Sequence, residues 1–298
     1  MTPADSAHSR DPADLAGLRP RRQLLAAFLA LSWWPAYAAA EPRPQPDSAI
    51  ALGPARRPDG APDRRRPTLF IAGDSTVRSA GRNGQWGWGE RLAPWFDPAQ
   101  VQLSNHAIAG RSTRSFLREG RWAELRAQLQ PGDAVLIQFG HNDGGRVGDP
   151  AAKQRATLPG TGDDTCIDLL PDGTAETVRS FGAYLAQFLR EALAAGALPI
   201  VVAPVPHKDH WQSDLDFADV SAWGRAVAQR EGGLFVDLTR AVTEAYRALG
   251  PAEVERLFAD ANTHTNEAGA QLNAACLARL LRALPATLAL PRPRERLE

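Results

Sequence analysis

The stretch "TLFIAGDST", residues 68–76, begins as an unbroken apolar run and ends in a glycine followed by three residues with hydrogen-bonding side chains. An apolar run without polar alternation fits a strand covered on both faces, the setting of a parallel sheet. Four more runs read as strands: "VQLSNHAI" (101–108), "AVLIQFG" (134–140), "LPIVVAPV" (198–205) and "LFVDL" (234–238). Helical patterns lie between and after them. Residues 175–196 put Val178, Phe181, Leu185 and Phe188 at helical spacing and end on Gly196, which predicts one helix over that span. Residues 220–233 and 266–284 read the same way. Strands alternating with helices through right-handed crossovers predict an α/β fold, a three-layer α/β/α sandwich around a five-stranded parallel sheet. Ligands of such sheets bind beyond the carboxyl ends of the strands.

Outward from this core, the 298-residue chain balances 34 Lys and Arg against 34 Asp and Glu, so it has no overall basic field and nucleic acid is not an expected partner. Near the N-terminus Arg19, Arg21 and Arg22 precede the apolar run 24–34, and small residues follow around Ala38 and Ala40. This predicts a signal peptide over 1–40, with a faint twin-arginine character, and a periplasmic or secreted protein. The run is too short for a stable membrane anchor, which needs about 20 residues. Residues 1–40 carry four Arg and three Asp, so cleavage changes the net charge by one unit. Residues 41–67 hold seven prolines and many charges and read as a linker. The folded domain is expected over 68–289, followed by a tail at 290–298. The oligomeric state is not written in the sequence; a monomer is the expectation. Cys166 and Cys276 could pair, but a buried thiol is the plainer reading of Cys276 in the helical pattern "LNAACLARLL".

Ser75 follows the first strand, where a helix is expected to begin. It could be an N-cap, part of an anion site at a helix N-terminus, or a nucleophile. No Walker motif and no G-x-G-x-x-G follows a strand, which weakens the phosphate reading. Three other stretches fall at strand ends or before a helix: "NHAIAGRSTR" (105–114), "GHNDGG" (140–145) and "ADANTHTNEAGA" (259–270). Taken singly they are turns and caps. Together they offer a hydroxyl, a glycine N–H, a side-chain amide and an imidazole on one rim, the inventory of acyl transfer.

These four blocks resemble the SGNH (GDSL-type) hydrolases, and "GWGE" (87–90), "LPGTGDD" (158–164), "VRSFGAYL" (178–185) and "THTNEAGA" (263–270) resemble the rhamnogalacturonan acetylesterase branch. The resemblance covers about 68–285. It implies a flavodoxin-like fold and a serine esterase acting on an acetylated polysaccharide or oligosaccharide, with no metal and no organic cofactor. Ser75 would be the nucleophile, His264 the general base and then acid, and Ser75, Gly110 and Asn142 the oxyanion hole. The family places its acid three residues before the histidine. That position is Ala261 here, and Asp260 lies four before. Asp260 reaches the imidazole if the loop carries an extra residue; otherwise a backbone carbonyl or water orients His264. An esterase acting on xylan, another glycan or small esters is the nearest alternative reading. A glycan-binding module without catalysis is the alternative from another class.

Residues flanking these blocks are weighed as substrate contacts. Trp86, Trp88 and Trp95 cluster after the first motif; they could be core, or one such as Trp88 could stack on a sugar. Arg111 could meet an acidic sugar or pair with a carboxylate. His207 and His210, after the fourth strand, could contact substrate or lie in a plain surface loop, and no third ligand accompanies them for a metal.

Overall fold

The computed structural model describes residues 66–79, 82–213, 216–285 and 292–294. The expected signal peptide, all but the last two residues of the linker, and most of the tail lie outside the described residues. Strand β1, Thr68–Gly73, is buried at every position. It pairs in parallel with β2 (Gln102–Asn105) on one side and β3 (Ala134–Gln138) on the other. Beyond β3 lie β6 (Leu198–Val202) and β7 (Leu234–Val236), giving a five-stranded parallel sheet in the order β2-β1-β3-β6-β7. The order reverses between β1 and β3. In such sheets that switch point opens a crevice at the carboxyl ends of the strands.

Side chains alternate across each strand, so both faces of the sheet need covering. Phe70, Ala72, Val135, Ile137 and Val201 join one core with Phe116, Trp122, Leu125, Phe181, Phe188 and Val227. These come from α2 (Thr113–Arg118), α3 (Arg121–Arg126), α4 (Phe181–Ala194) and α5 (Ala218–Glu231). On the opposite face α8 (Glu267–Ala283) packs against both α1 (Trp88–Arg91) and α6 (Leu238–Leu249), and the short α7 (Pro251–Glu255) packs on α6. The three-layer sandwich is the one the apolar runs predict. Among the described residues no helix is long and apolar enough to cross a membrane.

The prediction of one helix over 175–196 needs correction. Residues Ala175–Arg179 form strand β5, paired antiparallel with β4 (Thr165–Leu169), and α4 starts only at Phe181, capped by the Ser180 hydroxyl on the Ala183 N–H. Val178 fits the helical spacing, but it is the only β5 residue that is fully buried. The turn Pro171-Asp172-Gly173, with Gly173 at φ 82, was the local signal for a hairpin. The hairpin is fastened by charge. The Arg114 side chain, fully buried on α2, donates to Asp168 at 2.7 Å, to Glu176 at 3.0 Å and to the Ala156 carbonyl at 3.0 Å. Cys166 lies on this hairpin and Cys276 is buried in α8; both are free thiols.

Candidate active site

Gly73 ends β1 in a space that admits no side chain. A Cβ there would lie 2.6 Å from Val77 and 2.9 Å from the Gln138 carbonyl. The chain then turns rather than starting a helix: the Asp74 carbonyl accepts from the N–H groups of Val77 and Arg78, and α1 begins only at Trp88. Ser75 is therefore not a helix N-cap. The turn rests on a buried polar chain. The Trp88 indole donates to Gln138 (2.8 Å), the Gln138 amide to the Thr76 hydroxyl (2.8 Å), and that hydroxyl to Asp74 (2.8 Å), which also accepts the Thr76 N–H (2.9 Å). This holds Ser75, partly exposed, at the crest of the turn.

The Ser75 hydroxyl lies 2.8 Å from His264 Nε2. On the other side of the ring, Nδ1 meets Asp260 Oδ2. A carboxylate can only accept, so Nδ1 carries the ring proton and Nε2 is left to accept from the serine. The remaining oxygen of Asp260 accepts the backbone N–H groups of Asn262 (3.0 Å), Thr263 (2.8 Å) and His264 (3.0 Å), and the Gln85 amide approaches Oδ2 at 3.3 Å. Burial pushes the Asp260 carboxyl upward, but the hydrogen bonds from the backbone and ring of His264 and from Asn262 and Thr263 outweigh it and bring it down to about 2. The loop is closed by an antiparallel bridge between Phe258 and Thr265, and Thr265 and Trp86 exchange two hydrogen bonds. The extra residue between acid and histidine is absorbed inside this closed loop, and Ala261 points to solvent.

Gly110 and Asn142 sit at the carboxyl ends of β2 and β3, on either side of β1. Gly110 is left-handed at φ 73. The Asn142 amide donates to the Arg111 carbonyl at 3.2 Å. Ser75, Gly110, Asn142 and the His264–Asp260 pair are thus all carried by the rim of the sheet. A hydroxyl bonded to an imidazole whose other nitrogen meets a carboxylate is an arrangement that can generate a nucleophile.

The GDSL-like lipase/acylhydrolase family model matches residues 71–272. The chain belongs to this family. It is a carboxylic ester hydrolase. A rhamnogalacturonan acetylesterase of Emericella nidulans is 36% identical over 213 residues, 71% of this chain and 83% of the relative. The rhamnogalacturonan acetylesterase RhgT of Bacillus subtilis is 29% identical over 221 residues, covering 68% of this chain and 84% of its own. Among solved structures, a Bacillus subtilis protein superposes with a TM-score of 0.60 at 23% identity, covering 74% of this chain; this chain spans 58% of that structure's length. A catalytic mutant of Axe2, an acetylxylan esterase from Geobacillus stearothermophilus, gives a TM-score of 0.51 at 22% identity over 72% of this chain and 93% of that one. These two share the fold.

The expected substrate contacts fare unevenly on this GDSL-type scaffold. Trp88 is fully buried, with its indole nitrogen spent on Gln138, so it is a core residue and not a sugar platform. Trp86 is partly exposed, with the Arg91 guanidinium 3.9 Å over its ring. Arg111 pairs with Glu119 at 2.9 Å and with the Ala109 carbonyl at 2.9 Å. His207 is held by Asp216, whose carboxylate accepts from the ring at 3.1 Å and from the His207 N–H at 2.7 Å, and it stacks on Phe217.

Several polar groups escape sequence reading. The His141 side chain is buried beside Asn142; its Nε2 donates to the Val205 carbonyl (3.0 Å) and its Nδ1 lies 3.4 Å from Asp74. Asp143 accepts both the Thr113 N–H (2.9 Å) and the Thr113 hydroxyl (2.5 Å), and burial pushes its carboxyl up to about 7. Both flank Asn142 in "GHND", which is the only sequence signal they give. Gln85, Gln138 and Arg155 give none, because their partners lie at distant positions in the chain.

Proposed function

We propose that this ester hydrolase is an exported carbohydrate esterase that removes O-acetyl groups from pectic rhamnogalacturonan through an acyl-enzyme. The bond from Ser75 to the Asp260-supported His264 carries the catalytic part of the reading. The two acetylesterase relatives carry the substrate part. Ser75 Oγ attacks the acetyl carbonyl carbon while His264 Nε2 takes its proton. The oxyanion is met by the N–H groups of Ser75 and Gly110 and by the Asn142 amide; one such donor is worth about a hundredfold or more in rate. Collapse breaks the bond to the sugar oxygen, which leaves as the alcohol with the proton from His264. Water, deprotonated by His264, then attacks the acetyl-serine and releases acetate. Asp260 keeps the tautomer correct and stabilises the imidazolium formed in each half.

Acetate release from acetylated rhamnogalacturonan, acetyl-xylan and p-nitrophenyl acetate tests the proposal, with Ser75→Ala in parallel. The wild type is expected to prefer the pectic polymer and the variant to lose about 10⁴–10⁶ in rate. A folded variant that matches the wild type on every ester overturns the mechanism. A preference for acetyl-xylan overturns the substrate assignment. Export is checked by the N-terminal sequence of protein recovered outside the cytoplasm, expected to begin near residue 39 or 41.

A further inference from the structure

We infer that Arg155 is a positioning residue of the oxyanion hole, locking the Asn142 amide and polarising it toward the reacting oxygen; the inference rests on the esterase reading above. Arg155 lies outside every family motif quoted above, in the excursion between β3 and β4. Its Nη1 donates to Asn142 Oδ1 at 2.9 Å and to the Gly110 carbonyl at 3.3 Å. One guanidinium nitrogen thereby joins the two loops that flank the nucleophile.

The lock is two-sided. Asn142 Oδ1 faces an arginine N–H, which can only donate. Asn142 Nδ2 faces the Arg111 carbonyl, which can only accept. Flipping the amide by half a turn would set donor against donor and acceptor against acceptor. The orientation that leaves the second Nδ2 hydrogen for an oxyanion is therefore the one the surroundings enforce. The cation also draws electron density toward Oδ1, and a donor whose own carbonyl accepts a charged hydrogen bond is a stronger donor. At Gly110 the same contact holds the carbonyl of a residue whose left-handed φ aims the neighbouring peptide groups.

The arginine is itself fixed. Its Nε donates to the Ala152 carbonyl at 3.3 Å. The next residue, Ala156, gives its carbonyl to buried Arg114, and the Thr157 N–H donates to the Asp143 carbonyl at 2.9 Å. Just before it, Lys153 and Gln154 are both left-handed, at φ 49 and 51, and neither is glycine. Two such residues in succession are unfavourable, and the tertiary contacts hold them there. The turn they make delivers Arg155 to the two loops.

A double-mutant cycle on the full chain, assayed with p-nitrophenyl acetate, tests the inference. Arg155→Met is expected to lower kcat by about 10- to 100-fold with KM within about twofold, the pattern of an interaction made in the transition state. In an Asn142→Ala background the same change is expected to cost less than about threefold, because the group through which Arg155 acts is gone. Equal losses in both backgrounds, a change confined to KM, or no loss overturns the inference. If Arg155→Met lowers the melting temperature sharply, Arg155→Lys carries the same cycle: it keeps the charge and loses the guanidinium geometry. Ser75→Ala separates the two levels of the argument. If it abolishes turnover while the Arg155 effect is additive, the esterase mechanism stands and the positioning role falls. If it leaves turnover intact, the esterase mechanism itself falls.

Discussion

On the nucleophile side of the site, the turn Gly73–Thr76 is clamped from below by strand β3 and helix α1, through the buried chain Trp88–Gln138–Thr76–Asp74. On the histidine side, the loop 258–265 organises itself: one oxygen of Asp260 gathers three successive N–H groups, and the other holds the imidazole. Their electrostatics differ as well. Asp260, rich in donors and partly open to solvent, is pulled down to about 2. Asp143, behind the oxyanion loop, is fully enclosed and pushed up to about 7. The contrast explains why one side keeps close motif spacing while the other accepts an extra residue. A turn packed against a sheet has no slack, whereas a loop closed on its own carboxylate can lengthen by one without moving its ends.

The largest expected effect comes from breaking the self-organised side. Asp260→Asn keeps an acceptor for the three N–H groups but sets an amide N–H against His264 Nδ1, favouring the wrong tautomer. It is expected to lower kcat by about 10²–10⁴, and to lower the melting temperature by the part of the stability that the ionised carboxylate carries. The double change Asp260→Ala with Ala261→Asp restores the usual family spacing and is expected to stay as slow as Asp260→Ala alone, since residue 261 faces solvent. Recovery of kcat in the double variant would mean that sequence spacing, and not the loop, places the acid.

A smaller effect is expected from the clamped side. Trp88→Phe leaves the Gln138 carbonyl without its donor in a fully buried site, at a cost of about 1–3 kcal/mol. For a domain of this size that lowers the melting temperature by about 2–4 °C per kcal/mol. Calorimetry checks this, and an unchanged melting temperature would remove the polar chain from the account of the turn.

The smallest effect sharpens the contrast between the two carboxyls. Between the ordinary 3.8 and about 7, folded Asp143 keeps a proton that the unfolded chain has released, so its contribution to stability falls as pH rises through that window and is level above it. Asp260 has the opposite sign: its contribution is present above 3.8 and is lost as pH falls toward about 2. Asp143→Asn is therefore expected to flatten the decline in melting temperature between pH 4 and pH 7 while leaving the loss below pH 4 in place. Parallel wild-type and variant curves across the upper window would contradict the raised carboxyl.

Four of the five strands of the sheet were legible because they are mostly apolar along their length, and both faces of β1 are covered as that pattern requires; β2, Gln-Leu-Ser-Asn, alternates instead. The hairpin β4–β5 was not, because only Asp168 and Val178 of its ten residues are buried while Ile167 and Leu169 are exposed; a buried arginine on α2 gives it its place, so apolar residues and burial do not coincide there. Ser75, Gly110, Asn142 and His264 stood out because their types recur in known motifs at strand ends. Trp88 misled because a tryptophan beside a nucleophile motif reads equally as core or as platform, and only burial decides between them.

Local periodicity is enough to place the sheet and its rim, and residue type at strand ends or before a helix is enough to put a hydroxyl, an amide and an imidazole there. The carboxylate that meets His264, the reach of Arg155 to Asn142 and Gly110, and the support of the nucleophile turn by Gln138 and Trp88 come from the packed chain. Each of those contacts joins distant parts of the chain or depends on how a loop closes. Neither is written in spacing alone.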